Sequence, residues 1–370
     1  MTGAREDQIQ AVLAAAGFAG AVRTPLTGDA STRSYERLHR AGRRAVLMNA
    51  PLRAESAPCP PGADPAARAR LGYNAQARLA AGRVDAFLGV ADWLRNHDLA
   101  APEIYAAEPD LGLAVIEDFG DGQYWSLLQT ETPAPPLYEA AIQALARVHE
   151  EPAPGRLPAG ASAWPLLSYD RLAMQAEVDL LADWFAPAQL QRPIDAAARD
   201  AWSSAWEAAF AALEGARPVL ALRDFHSPNL MWLPQRHGAQ RAGLLDFQDA
   251  LAGHPAYDLV SLLEDARCTV PAEFADYWFN AYCNEAAVID REAFAAAFAV
   301  LGAQRNAKII GIFARLKFRD GKPHYVAQHQ PRVIGYFRRN LDHPALAPVA
   351  AWFARHLPLA DWAKAESVAA

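Results

Sequence analysis

Three polar residues between Ala221 and Gly253 have the types and spacing that phosphoryl transfer uses. Asp224 and Asn229 stand five positions apart in the run Arg-Asp-Phe-His-Ser-Pro-Asn, and Asp246 follows the apolar Gly243-Leu244-Leu245 and precedes Phe247. In that chemistry an Asp orients or deprotonates the acceptor hydroxyl. An Asn five residues on, and an Asp after the next strand, hold magnesium. Asp224 is the candidate base; Asn229 and Asp246 are the candidate metal ligands. Asp and Asn are also ordinary turn residues. The intervening sequence favours the chemical reading. Leu230 to Leu233 is a short apolar strand, Pro234 to Arg241 a polar turn containing Gly238, and Ala242 to Leu245 the returning strand. That is a hairpin with an Asn entering it and an Asp leaving it.

A chain of 370 residues is long for one core and predicts two lobes or domains. Apolar residues make up 52% and charged residues 21%, a globular composition. The formal charge of -7 argues against a nucleic-acid partner, which needs a basic footprint. Cys59, Cys268 and Cys283 are widely spaced. They form neither a metal pattern nor a disulfide framework, which suits a reducing compartment. The first residues carry acidic side chains and only a short apolar run, unlike a signal peptide. No stretch approaches the ~20 apolar residues of a membrane span. These features predict a soluble, cytoplasmic protein with no membrane partner.

The elements that must position the three residues show as patterns. Asp7 to Gly17 reads as a helix with a Gly stop. Ala21 to Leu26 reads as a strand, and Arg43 to Asn49 as another after the turn at Ala41-Gly42. Between them runs a small, hydroxyl-rich loop. A loop over a nucleotide's phosphates needs backbone N–H groups and hydroxyl donors. Ser31, Thr32, Arg33 and Ser34 could supply them; an ordinary polar turn accounts for the same residues. Ala50 to Pro65 and Pro152 to Pro165 read as connectors. Ala66 to His97 has helical patterning, with Val84, Phe87, Leu88, Ala91 and Leu94 on one face. Gly112 to Gly120 is a buried strand running into a charged segment, as a hinge would. There the backbone of Glu117, Asp118 and Phe119 could pair with an adenine edge or simply end a strand.

Ser168 to Phe185, Asp195 to Gly215, Tyr257 to Ala266 and Arg291 to Arg319 read as helices. The stripe Trp202, Trp206, Phe210 and Leu213 marks a buried face. Asp258, near a helix start, is expected to be structural. It would stabilise that helix or orient the Asp224 loop through Arg223 or backbone amides. The basic run from Arg315 to His324 either complements a helix C-terminus or binds an anionic group such as a carboxylate, with Arg319 the better bidentate donor.

Seven stretches carry a family resemblance: GDASTRSYERL (28–38), VLMNAP (46–51), VIEDFGD (115–121), YDRLAMQAEVDLLADWF (169–185), LRDFHSPNLMWLP (222–234), LLDFQDALAGHPAYDLVSLLEDAR (244–267) and IIGIFARLKFRDGKPHY (309–325). In order, and over most of the chain, they resemble the aminoglycoside phosphotransferase/choline kinase superfamily. The last two resemble most its AmgK-type branch, anomeric kinases of N-acetylmuramate and N-acetylglucosamine in peptidoglycan recycling. The resemblance implies an α+β, protein-kinase-like fold. A small β-rich nucleotide-binding lobe would span 1–118 and a larger, mostly helical catalytic and acceptor-binding lobe 119–370, with the ATP cleft between. It implies ATP and Mg2+ as cofactors, an amino sugar phosphorylated at its C1 hydroxyl, and a monomer. Asp224 matches the catalytic Asp, Asn229 and Asp246 the magnesium residues, 28–34 the phosphate loop and 117–119 the hinge. Acceptor contacts are expected from His226, Gln248, Glu177, Arg315 and Arg319.

The chain departs from the protein-kinase pattern in three places. Leu222 stands where a His precedes Arg-Asp, Gln248 replaces the Gly after Asp246-Phe247, and the strand Ala45 to Asn49 has no Lys. The AmgK-type sequences also lack that Lys. Arg33 is the first candidate for the phosphate-binding cation, and Arg43 or Arg44 the next. The missing residues also fit a nucleotide-binding pseudokinase, though such a module has no use for a base such as Asp224. The superfamily also admits choline, homoserine or aminoglycoside acceptors. A cationic acceptor needs an acidic and aromatic pocket, and the basic run at 315–324 weighs against one.

Overall fold

Alternation in the strand Arg43–Asn49 decides how the first third of the molecule is layered. Ala45 and Leu47 point one way and Val46 and Met48 the other, and all four are buried. In the strand Leu113–Ile116, Leu113 and Val115 divide from Ala114 and Ile116 in the same way. A sheet built on these two strands must be covered on both faces. One face takes the helix Gly3–Ala15, through Ile9, Val12 and Leu13, with Phe18 just beyond it. The other joins the main core, with Val84, Phe87, Leu88 and Ala91 of the helix Val84–Asn96. The strands β1 (Val22–Leu26), β2 (Ser34–Arg40), β3 (Arg43–Asn49), β4 (Ile104–Glu108) and β5 (Leu113–Ile116) form one antiparallel sheet of order β1-β2-β3-β5-β4. The computed structural model describes residues 3–26, 33–51, 58–160 and 162–362.

After the sheet the described chain is mostly helical. The helix Arg291–Phe318 packs on Arg171–Leu180, on the π-helical continuation Leu181–Gln189, on Ala256–Leu263 and on His324–Leu341. Its residues from Val300 to Gly311 are buried without a break, so Gln304, Arg305, Asn306 and Lys308 are carried into the interior. Among the described residues no helix is long and apolar enough to cross a membrane.

The predicted hairpin is present, with Leu230–Trp232 antiparallel to Ala242–Leu244. A second ladder, which the sequence did not suggest, pairs Val219–Ala221 with Leu251–Gly253. The loops carrying Asp224 and Asp246 lie between these ladders in the chain. The helix expected over 66–97 is instead three: Pro65–Leu71, Tyr73–Gln76 and Val84–Asn96. Gly72 and Gly82 take φ of 87° and 80°, and Arg78 and Ala81 both 56°, which no right-handed helix can accept. The connector at 152–165 contains a small hairpin, Arg156–Ala159 with Ser162–Pro165.

Gly311 sets how closely the long helix approaches its neighbour. A Cβ there would overlap the backbone of Leu180. Helix propensity favours Ala over Gly by roughly 0.5–1 kcal/mol, but overpacking costs ~1–3 kcal/mol, and a backbone segment cannot swing aside as a side chain can. Gly311→Ala is therefore expected to destabilise the protein by about 1–2 kcal/mol net, read as a lower urea midpoint. An unchanged or higher midpoint would refute this close packing.

Candidate active site

Asp224 follows the strand Val219–Ala221 in a loop whose backbone is fixed by buried side chains. Asp258, fully buried in the helix Ala256–Leu263, accepts the N–H of Leu222 at 2.7 Å and that of Arg223 at 2.7 Å. Ser261, on the same helix, donates its hydroxyl to the Arg223 carbonyl at 3.2 Å. Arg223 itself has φ 72°, a left-handed conformation that needs outside support. Its guanidinium pairs with the buried Glu177 and lies 5.1 Å from the centre of the Tyr169 ring. Glu177 also accepts from Tyr169 and Gln304, and Lys308 Nζ stands 3.5 Å from it. Further along the loop, Asp265 takes both the N–H and the hydroxyl of Ser227, at 2.9 and 2.5 Å.

The three residues expected to do chemistry come together. Asp224, Asn229 and Asp246 line one crevice, closed beneath by Leu222, Phe225, Leu244 and Phe247. Asn229 donates its amide Nδ2 to the Asp224 carbonyl at 3.0 Å, which turns its Oδ1 the other way. Asp246 has φ 57° and accepts from Gln248 at 3.1 Å and from Arg33 at 2.7 Å. Arg33 thus reaches across from the sheet lobe to the candidate metal carboxylate. Burial opposes its charge, and Asp246, Tyr35 and Asp249 outweigh that and keep it protonated. Of the other candidate cations, Arg43 lies 4.8 Å from the centre of the Phe18 ring, and Arg44 stands 3.7 Å from Asp118.

The remaining nucleotide-side residues are placed unevenly. Ser31 and Thr32 lie outside the described residues. Ser34 opens β2 opposite Asn49. The Glu117 N–H is committed to the Glu103 carbonyl at 2.8 Å and its carboxylate to Arg236 at 2.6 Å. That donor is therefore not available to an adenine edge. The Asp118 carboxylate pairs with Arg37 at 2.9 Å and caps the Gly120 N–H at 2.9 Å. The Phe119 ring packs against Gly243, where a Cβ would sit 2.8 Å from it.

On the acceptor side several expectations need correction. Glu177 has no exposed surface and its oxygens are taken by Arg223, Lys308, Tyr169 and Gln304, so it positions Arg223 rather than touching an acceptor. Gln248 is buried and donates to Asp246, which makes it a neighbour of the candidate metal carboxylate. Arg315 stacks over Tyr73 at 5.4 Å, and Arg319 pairs with its neighbour Asp320 at 2.6 Å. Arg319 is three to four turns along the helix from Lys308 and Arg305, roughly 16–21 Å at the helical rise. His226 lies within electrostatic reach of Asp224. Burial opposes the Asp224 carboxylate, but Lys308, His226, Arg223 and Arg305 outweigh it and hold the carboxyl below its usual range. Burial in turn holds His226 below the ordinary imidazole value, so it is neutral.

Lys308 and Arg305 were missed, although the sequence carried a signal. Gln304-Arg-Asn-Ala-Lys308 interrupts a long Ala-, Ile- and Phe-rich helix, and buried polar residues in such a helix are rarely idle.

A β-sheet lobe, a helical lobe, and an Asp/Asn/Asp crevice in the second that Arg33 reaches from the first define a phosphotransferase of kinase-like fold. The chain belongs to the phosphotransferase enzyme family, whose sequence profile matches residues 22–296. It is 48% identical over 355 residues to an N-acetylmuramate/N-acetylglucosamine kinase of Caulobacter vibrioides, covering 96% of this chain and 97% of that protein. In structure it is similar to a choline/ethanolamine kinase family protein from Mesorhizobium loti, with TM-score 0.56 and 16% identity over 94% of this chain and 98% of the other. An ADP-bound aminoglycoside phosphotransferase gives TM-score 0.54 and 13% identity, over 93% of this chain and 98% of its own. At those identities the likeness is one of fold.

Two outcomes follow from this framework. Asp258→Ala strips two buried N–H groups of their acceptor, at ~1–3 kcal/mol each. It is expected to lower both the urea midpoint and kcat, and a variant with wild-type kcat would show that the loop holds its shape without Asp258. The second concerns His254, whose Nδ1 accepts the Ala256 N–H at 3.1 Å. Burial, with a smaller contribution from His149, pushes its imidazole down to about 4. Below pH ~6.5 the unfolded chain binds a proton that the folded protein refuses, so stability falls as pH drops toward about 4, by about 1.4 kcal/mol per unit. His254→Asn keeps an acceptor for Ala256 and should show a shallower loss of Tm across that window. Parallel Tm profiles would refute the assignment.

Proposed function

We propose that the protein is an ATP-dependent kinase that phosphorylates the anomeric C1 hydroxyl of N-acetylmuramate and N-acetylglucosamine in cell-wall recycling, acting as a cytoplasmic monomer. The observation that carries this reading is the meeting of Asp224, Asn229 and Asp246 in one crevice, in a chain nearly half identical to a kinase named for both sugars. The cations beside Asp224 support an uncharged or anionic acceptor over choline or an aminoglycoside. The three cysteines are unpaired thiols, as a reducing compartment leaves them.

The residues present fit magnesium. Asn229 offers an oriented amide oxygen, and the Asp246 side chain is 38% exposed. One or two hard oxygen ligands completed by phosphates and water are what Mg2+ takes. When bound, the ion neutralises charge on the phosphate oxygens. The chain's own groups do the positioning. Asp224, kept ionised, accepts or orients the proton of the C1 hydroxyl; an anomeric hydroxyl is more acidic than an ordinary alcohol, so a weak base suffices. Arg33, at the Asp246 edge of the crevice, meets the negative charge of the nucleotide phosphates. His226 offers a neutral ring to the acceptor's hydroxyls.

Phosphorus NMR of the products from purified protein, ATP, Mg2+ and each sugar tests the reading. The expected product is a C1 phosphate, identified by its coupling to the anomeric proton. Asp224→Asn should lower kcat about 10²–10⁴-fold while leaving ATP affinity within a few-fold. A C6 phosphate would overturn the anomeric assignment, and no sugar phosphate at all would overturn the acceptor.

A further inference from the structure

Arg305 is 3% exposed, yet its Nε and Nη1 are buried with no hydrogen-bond partner among the described residues. A guanidinium taken out of water without a partner costs several kcal/mol. Proteins tolerate that cost where a ligand will supply the missing acceptor. Its neighbour on the same helix is not in this position. Lys308 donates to the Tyr257 hydroxyl at 2.8 Å and faces Glu177. Arg305 lies within electrostatic reach of Asp224 and His226. His226 carries a second buried orphan, Nδ1. Two of the buried groups with unsatisfied atoms, Arg305 and His226, therefore lie within electrostatic reach of the candidate base. A guanidinium offers a planar fork of donors and matches a carboxylate two-to-two.

We propose that Arg305 is the specificity-determining residue that binds the lactyl carboxylate of N-acetylmuramate. This rests on the sugar-kinase reading above. With C1 held at Asp224, the carboxylate of the lactyl ether on C3 is the group of that sugar able to answer a guanidinium this near the base. N-acetylglucosamine has a hydroxyl there and leaves the guanidinium unpaired. The site therefore favours N-acetylmuramate, and the preference resides in KM, since the contact is made equally in ground state and transition state.

The test compares kcat and KM for both sugars in the wild type and in Arg305→Gln, together with the methyl ester of N-acetylmuramate. Arg305→Gln should raise KM for N-acetylmuramate about 30-fold or more, so that its kcat/KM falls at least about tenfold further than that for N-acetylglucosamine, any loss from removing a charge beside Asp224 being common to both sugars. In the wild type, the methyl ester should show a similar rise in KM. In the variant, ester and acid should be used alike, the non-additivity expected of two partners in one contact. The ester comparison needs only the wild-type protein, so it decides the matter even if Arg305→Gln fails to fold. Equal use of ester and acid by the wild type, or an equal loss on both sugars in the variant, overturns the proposal and leaves the kinase reading standing. Turnover of neither sugar by the wild type overturns both.

Discussion

Glu177 holds a carboxylate with no exposed surface between the guanidinium of Arg223 and the ammonium of Lys308. Removing three charges from water costs several kcal/mol apiece, and their mutual attraction returns little more than that. What the cluster provides is geometry. Arg223 sits in a left-handed conformation that its own sequence does not favour. Holding it there fixes the direction in which the next residue, Asp224, leaves the loop. Asp258 and Ser261 fix the same turn from the backbone side. Three separate helices therefore converge, directly or through Glu177, on one strained residue. The position of the candidate base is a property of the whole helical lobe rather than of its loop.

The two lobes meet through a few charged and close-packed contacts. Arg33 crosses to Asp246, Arg236 pairs with Glu117, and the Phe119 ring rests on Gly243. The Leu244 N–H donates to the Ala100 carbonyl at 2.7 Å, which ties the hairpin to the segment entering β4. The Arg33–Asp246 pair differs from the others because both partners have other work in the proposed reaction. A carboxylate bound to an arginine is a poorer ligand for a cation. In the proposed reaction Arg33 would answer the nucleotide's phosphates and Asp246 the magnesium ion.

The convergence of Asp224, Asn229 and Asp246 was readable from sequence because their spacing is local. A five-residue loop and a short hairpin set it, and turn chemistry shows along the chain. The layering of the sheet was readable for the same reason, since a strand buried on both faces needs apolar residues at successive positions. The structural role of Asp258 followed from its place at a helix start. The Glu177 contact was misassigned because a buried carboxylate and a solvent-facing one look alike in sequence. Only the partner, Arg223, 46 positions away, tells them apart. The break at residues 72–83 was missed because Arg78 and Ala81 adopt positive φ, which nothing in their residue types announces. Arg319 drew the anion-ligand expectation because it sits in an obvious basic run. Such a run at a helix end is solvated, whereas the arginine embedded in the apolar helix has buried donors left unpaired.

That contrast bears on where acceptor specificity is kept. A recognition group on a loop loses entropy each time it orders around a ligand. One on the helix Arg291–Phe318 does not, because the helix is buried from Val300 to Gly311 and locked against Leu180 by the missing side chain at Gly311. The same twelve residues bury the apolar core and carry Gln304, Arg305 and Lys308 to within reach of Glu177 or Asp224. Rigid presentation makes the orphaned guanidinium an unyielding donor that cannot relax onto a substitute partner. An acceptor that brings a carboxylate therefore gains a contact that a neutral acceptor lacks. Discrimination of this kind rewards the ligand that pairs the buried donors. It also requires that the polar stripe stay buried, so the packing that stabilises the lobe is the packing that lets it choose.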